Sequence, residues 1–490
     1  MKKKIVTAVI AAVITLSAAC PTFAQEPYTG YTYNTYGERV PAPNAFLPEK
    51  VITGLDVGVG LFNKPSDIFV DNNNDIYVLD TGNGRIVILD ENFDKKKVID
   101  KFTYQGADSP LKDASGIFAV PEDNLIYIAD KGNERVAVCD YDGNIVREER
   151  KPKTEYLGDE IVFAPRKIVV NSIGTMYVLS DNINQGMVSI DSDGVFQGFF
   201  GAEKIQLNLQ QELDRQWRKF STKEQQSYTT TFQPTEYSNI FLDSEDFIYT
   251  TTSFEEYTKA QIKRLNPNGE NIYDGDKSYG DLKSEMVNDQ PVVSALIDVT
   301  VDEDGFVFAL DRNFGRIYMY DQQAWDLAIF GKKDTMWGTF GEPIAIENVN
   351  GKIIVVDNTK SNLVVFEPTE YGKNIMSAIN YHYKGRYEQA KEPWTTVNHL
   401  NNNYEWAYAG LGRAEHMIGN YKTAMYDFEK ANNKELYSKS KKKYRNYVLR
   451  ENFTAITVSF LVIVIGGYIL IKKRKEIAKF IKSKREGKTL

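Results

Sequence analysis

Asp67-Ile-Phe-Val-Asp-Asn-Asn-Asn-Asp-Ile-Tyr-Val-Leu-Asp80 reads as a short apolar strand, an Asp/Asn turn and a second strand closing in Asp. Gly116-Ile-Phe-Ala-Val-Pro-Glu-Asp-Asn-Leu-Ile-Tyr-Ile-Ala-Asp130 repeats the phrase. A third strand follows each copy, Arg85-Ile-Val-Ile-Leu-Asp90 and Arg135-Val-Ala-Val-Cys-Asp140. Runs of four to six apolar or alternating residues broken by Gly, Asn and Asp specify an antiparallel meander. Aligned on the residue three before the closing position, six copies fall at Tyr77, Tyr127, Tyr177, Tyr249, Phe308 and Ile354. A unit of roughly 45–50 residues has the length of a propeller blade. Insertions stretch the third and fourth intervals.

A blade needs four strands, and blades one to five each offer a fourth, such as Lys97–Phe102 and Trp325–Phe330. Blade six stops at Asn362–Phe366. Lys50-Val-Ile-Thr53 is expected to supply its missing strand, closing the ring and removing exposed sheet edges.

Asp80-Thr-Gly-Asn-Gly-Arg85, Asp130-Lys-Gly-Asn-Glu-Arg135, Asp311-Arg-Asn-Phe-Gly-Arg316 and, loosely, Asp357-Asn-Thr-Lys-Ser-Asn362 resemble the phrase of NHL-repeat propellers. Ser180 and Thr252 replace the Asp in blades three and four. The resemblance implies a six-bladed NHL-like propeller over 50–367. Related propellers include gluconolactonase-like hydrolases, peptidyl-amidating lyases and binding scaffolds, so the resemblance implies a fold more than a function. An Asp closing a strand accepts hydrogen bonds from the next turn, and an Arg five residues on can pair with it. These residues are read as structural first and ligand contacts second. The turns Asp71–Asp75 and Asp302–Gly305 could hold calcium, but turn chemistry explains them without a metal, so no cofactor is assigned.

Outside the ring, Met1-Lys-Lys-Lys, the apolar run Ile5–Ala19 and Thr22-Phe-Ala24 read as a signal peptide over 1–24, followed by a lead over 25–49. Phe453–Ile471 is a 19-residue run without charge, long enough to span a bilayer, and Lys472-Lys-Arg-Lys475 ends it with a cytoplasmic-type basic flank. A single span with an extracellular body and a basic cytoplasmic tail, 472–490, follows.

Residues 371–450 change to helical periodicity. Gly385-Arg-Tyr387-Glu-Gln-Ala390 returns as Gly419-Asn-Tyr421-Lys-Thr-Ala424, and the same step of 34 relates Trp394 to Phe428 and Ala378 to Gly412. That spacing resembles tetratricopeptide repeats and implies a groove for a protein partner or a stalk. Pro393 departs from the pattern. The fold class is therefore mainly β: a propeller, a tetratricopeptide-like helical module and one transmembrane helix.

Charge and composition narrow the function. Residues 1–24 carry +3 and 472–490 carry +7, so against a chain total of −8 the remainder, 25–452, carries −18. An acidic body argues against nucleic acid as a partner, and none is assigned. The three histidines, His382, His399 and His416, all follow the propeller, which excludes His-based acid–base catalysis and His-ligated zinc in the ring. No catalytic constellation is assigned. Cys139, inside a strand, is read as a small hydrophobe.

A ligand would meet the channel mouth where the inner strands begin, at Asp67, Gly116, Lys167, Asn239, Asp298 and Ala345. The insertion over 202–237 belongs to the same face; Leu207, Leu209, Leu213 and Trp217 suggest an amphipathic helix acting as packing or as a lid. The connections bearing Tyr279 and Trp337 add aromatics that could stack on sugar rings. The candidate ligand-binding set is Asp67, Lys167, Asn239, Asp298, Trp217 and Trp337. The reading is a membrane-anchored extracellular binding or scaffold protein facing a glycan or exported partner, with carbohydrate uptake suggested by analogy of layout. A metal-dependent, gluconolactonase-like hydrolase and a structural subunit of a membrane complex are the alternatives.

Overall fold

A computed structural model describes residues 26–154, 157–158, 160–201, 237–252, 259–485 and 487. The segment 1–24 read as a signal peptide, and residues 202–236 of the insertion over 202–237, lie outside the described residues.

Six sheets form the ring. Blade one runs Asp67–Val70, Ile76–Asp80, Arg85–Leu89 and Lys95–Ile99, each strand antiparallel to the last. Blade two uses Ala114–Val120, Leu125–Asp130, Arg135–Cys139 and Asn144–Glu149, and blade three Ala164–Val170, Met176–Asp181, Met187–Ile190 and Phe196–Phe200. Blade five begins at Leu296–Val301 and ends at Asp326–Phe330. Blade six is completed by Phe46–Thr53, which pairs antiparallel with Asn362–Pro368 from Thr53↔Asn362 to Phe46↔Pro368. N-terminal sequence therefore closes the ring on C-terminal sequence, as expected.

Blade four differs from the expectation. Its described sheet has three strands, Asn239–Leu242, Ile248–Thr251 and Ile262–Leu265. The fourth position holds only a bridge, Leu265↔Asn271, and one further bond from Ile272 N–H to Arg264 O. After the turn at Asn266 the chain offers Ile272 and Tyr273 but no alternating run to carry a strand.

The wholly apolar middle strands follow from the ring. Each is covered on both faces, so alternate side chains enter alternate interfaces. Ile76 and Val78 pack with Ile354 and Val356 of blade six, while Tyr77 and Leu79 pack with Ile117, Ile126 and Ile128 of blade two. Between blades five and six Phe46 stacks on Phe330 at 4.9 Å and meets Phe308 edge-on at 5.5 Å. Burial of each such ring contributes about 1.5–3 kcal/mol. Cys139 is fully buried in the cluster between blades one and two.

One turn repeats throughout. The Asp71 carboxylate accepts the N–H groups of Asn73 and Asp75 at 2.8 and 2.9 Å. Asp90, Asp140, Asp191, Asp243, Asn266, Asp302 and Asp321 do the same two and four residues on. This Asx turn is why the phrase recurs in sequence.

The lead over 25–49, to which the sequence assigned no element, contains a hairpin. Tyr31–Tyr33 pairs with Arg39–Pro41 and adds to the outer edge of blade five through Tyr31↔Ile329.

The chain divides into two compact units, 1–373 and 374–490. C-terminal to the ring are helices Glu370–Tyr383, Tyr387–Leu400, Glu405–Met417, Tyr421–Lys430, Lys434–Glu451 and Phe453–Arg485. Gly410 and Gly412 permit close crossings: a Cβ at each would lie 2.3 Å from Trp394 and 2.7 Å from Phe428. Phe453–Arg485 is long and apolar enough to cross a membrane, with mean hydropathy 2.4 over its most apolar 18 residues.

Candidate functional site at the channel mouth

The inner strands share one register. Asp67 pairs with Leu79, Gly116 with Ala129, Lys167 with Leu179, Asn239 with Thr251, Asp298 with Leu310 and Ala345 with Val356. Each partner stands one residue before the position that closes the second strand, so the six sites are equivalent around the axis.

Four of the candidate residues, Asp67, Lys167, Asn239 and Asp298, line a channel cavity together with Glu347. Its volume is about 40 Å³, room for a few water molecules at about 10–15 Å³ each. Two residues along the strands, Phe69, Phe118 and Phe241 also line it. The Phe69 and Phe118 rings are 4.5 Å apart, forming an apolar layer beneath the charged one.

The charged layer is buried. Lys167 Nζ donates to Asp67 Oδ1, and Asp67 Oδ2 accepts the Ile117 N–H at 2.9 Å. Asp298 accepts the N–H groups of Val299 at 2.7 Å and Ile346 at 2.8 Å. Asp67 and Asp298 thus each bind the backbone of the next blade. Glu347 Oε2 accepts the Thr300 hydroxyl at 3.0 Å. Asn239 is buried, and its Oδ1 has no hydrogen-bond partner among the described residues.

Burial dominates the titration. It pushes Asp298 up to about 7, with Lys167 opposing and Asp67 adding to the rise. Glu347 is pushed well above the usual carboxylate range by burial, with the neighbouring charge of Asp298 adding. Burial alone would lower the Lys167 ammonium, but Asp67, Asp298 and Glu347 together outweigh it and hold it protonated.

Glu347 went unnoticed in sequence. Its signal is the two-residue step from Ala345, the step that takes Asp67 to Phe69. Trp337 is 60% exposed and is not among the residues lining the cavity. Trp217 lies outside the described residues. Tyr279, expected on the exposed face, is fully buried against Tyr320 and so cannot meet a ligand there.

The repeated Asp residues brace the ring. Asp80 accepts Asn63 N–H at 2.7 Å, Asn83 Nδ2 at 2.8 Å and Arg85 Nε at 2.7 Å. Asp130 repeats the set with Lys112, Asn133 and Arg135. Ser180 substitutes in blade three by accepting Ala164 N–H at 2.9 Å. In blade five, Arg316 pairs with Asp281 and Glu285 instead of Asp311. The turn carboxylates Asp71 and Asp302, weighed as calcium ligands, accept their own turn N–H groups. Among the described residues no group of three or more His, Cys, Asp or Glu is placed to hold a metal ion.

Fold and register define a six-bladed β-propeller with NHL-type blades. The NHL repeat family model matches residues 62–89, in blade one. Similar solved structures include virginiamycin B lyase from Staphylococcus aureus, 14% identical, covering 63% of this chain and 86% of that one at TM-score 0.36. A gluconolactonase from Xanthomonas campestris is 9% identical, covering 67% and 97% at TM-score 0.38. No curated protein matches the chain.

Proposed function

We propose that this chain is a membrane-tethered binding and scaffolding protein, with the propeller outside the cell as its recognition ring. The observation that carries this reading is the helix Phe453–Arg485, none of whose most apolar 18 residues is buried. Side chains such as Phe460, Val462, Ile463 and Ile471, each more than 60% exposed, form an apolar surface suited to lipid. A cleaved signal peptide orients the body outward and the tail to the cytoplasm; with basic residues on both flanks of the span, Lys441–Lys443 and Lys472–Lys475, orientation rests mainly on that peptide. The helices over 371–450 act as a tetratricopeptide-like module for a protein partner, supported by the 34-residue step and the close crossings at Gly410 and Gly412. In this reading the ring face whose buried centre holds Asp67, Lys167, Asn239 and Asp298 is the one turned toward a glycan or an exported partner.

The test has two arms. Full-length protein in intact cells should fractionate with membranes and lose its propeller, not its tail, to external protease; the reverse pattern would refute the orientation. Detergent-solubilised full chain is then heated with oligosaccharides, wall fragments and divalent ions. A ligand that binds only the native state adds about 2.7 kcal/mol at one hundred times its dissociation constant. A shift with a sugar or wall fragment supports recognition by the ring, whereas a shift with a divalent ion alone would replace binding by metal-dependent chemistry.

A further inference from the structure

We propose that the helix Lys434–Glu451 is a basic neck that docks onto anionic lipid headgroups beside the span. The inference rests on the tethering reading above. One non-helical residue, Asn452, separates this helix from Phe453–Arg485. The 19 uncharged residues from Phe453 extend about 28 Å as a helix, matching the hydrocarbon core. Asn452 therefore stands at the headgroup level, and everything C-terminal to Lys441 lies within about 20 Å of it along the helix.

Charge separates sharply at this point. The neck holds seven Lys/Arg against Glu435 and Glu451, a net +5, while residues 25–433 carry −23. On this side of the span an anionic surface repels the bulk of the chain, residues 25–433, and attracts the neck. The side chains are available for such contact. Lys441, Lys442, Lys443, Arg445 and Arg450 are all exposed, while Ser440, fully buried, shares a 2.7 Å hydrogen bond with His416 on the helix's packed side. Asn433 caps the helix by accepting Leu436 N–H at 3.0 Å, so the segment is a defined helix up to the membrane. Tyr447 and Leu449 add exposed apolar surface, at 54% and 49%, among the basic groups of the last turns. A basic helix carrying an exposed aromatic and an exposed aliphatic side chain in its last turns has the composition of a segment that meets an interface.

The experiment places full-length protein in nanodiscs of phosphatidylcholine alone or of equal parts phosphatidylcholine and phosphatidylglycerol. Acylation rates of Lys441, Lys442 and Lys443 are read by mass spectrometry. In the anionic discs these lysines should react about fivefold more slowly or less, and high salt should restore the rate. An Arg445→Gln/Arg450→Gln variant, altered only at exposed positions, should lose part of the protection while keeping the reporter lysines. Equal rates in the two lipids, whether fast or slow, would overturn the proposal; uniformly slow rates would mean that protein covers the neck. Failure of the chain to enter either disc would instead refute the tether on which the inference rests.

Discussion

Lys167 of blade three reaches past blade two to hydrogen-bond Asp67 of blade one. Its ammonium also sits in the field of Asp298 and Glu347 from blades five and six. One cation thereby ties together carboxylates from three other blades at the centre of the ring.

Replacing that cation should be costly. Lys167→Met leaves buried carboxylates without their counter-charge, a loss of about 3–5 kcal/mol at neutral pH. Denaturant titration of wild type and variant measures it. The deficit should shrink toward pH 5, because protonated carboxyls need no neutralising cation. A deficit independent of pH would mean that lost packing, not charge, was responsible.

Asp298 makes stability pH-dependent with a definite sign. Its folded pKa of about 7 exceeds the ordinary aspartate value of 3.8. Between these values the folded state binds more protons than the unfolded, so stability falls as pH rises from about 4 to 7, by an amount on the order of 4 kcal/mol. Asp298→Asn should flatten this part of the pH–stability curve even though the amide brings its own cost at the Val299 and Ile346 N–H groups. Calorimetry across that range is the check, and an unchanged slope would assign the titration to another group.

Two equivalent arginines should fail differently. Arg135 is 3% exposed and binds Asp130 and Glu148 inside blade two; Arg135→Met should cost about 3–5 kcal/mol of global stability. Arg316 binds Asp281, which also accepts the Tyr33 hydroxyl at 2.7 Å and pairs with Arg39 at 3.0 Å. Arg316→Met should therefore raise hydrogen exchange over the hairpin Tyr31–Pro41 specifically. Uniform exchange changes in both variants would contradict the distinction.

Gly143 and Gly351 separate steric from conformational need. Both have positive φ, 85° and 75°. A Cβ at Gly143 would lie 2.0 Å from Lys101 O, whereas one at Gly351 meets nothing within 4 Å. Gly351→Ala should cost about 1–2 kcal/mol from the left-handed backbone alone. Gly143→Ala should cost clearly more, since Lys101 or the turn must move; thermal melts of the two variants compare them directly.

Local chemistry was legible in the residues themselves. The Asx turns, the alternating strands and the Asp closing four of the six second strands depend on neighbours a few positions away, so their repetition set the blade count and the equivalent positions Asp67, Lys167, Asn239 and Asp298. The ring closure through Lys50–Thr53 was also readable, because a blade with three strands leaves an edge that something must cover, although the strand starts earlier, at Phe46. Blade four's missing fourth strand was misread because a turn signal at Asn266 says nothing about whether a strand follows.

What only the tertiary structure decided is which distant groups meet. Glu347 joins Lys167 from 180 residues away, and Arg316 abandons the Asp311 beside it for Asp281 because the lead hairpin brings Tyr31, Tyr33 and Arg39 to that carboxylate. Charges couple through space rather than along the chain, and in a closed ring the first and sixth blades are neighbours. Sequence therefore determined the number and phrasing of the blades, while closure of the ring determined which charges share its centre.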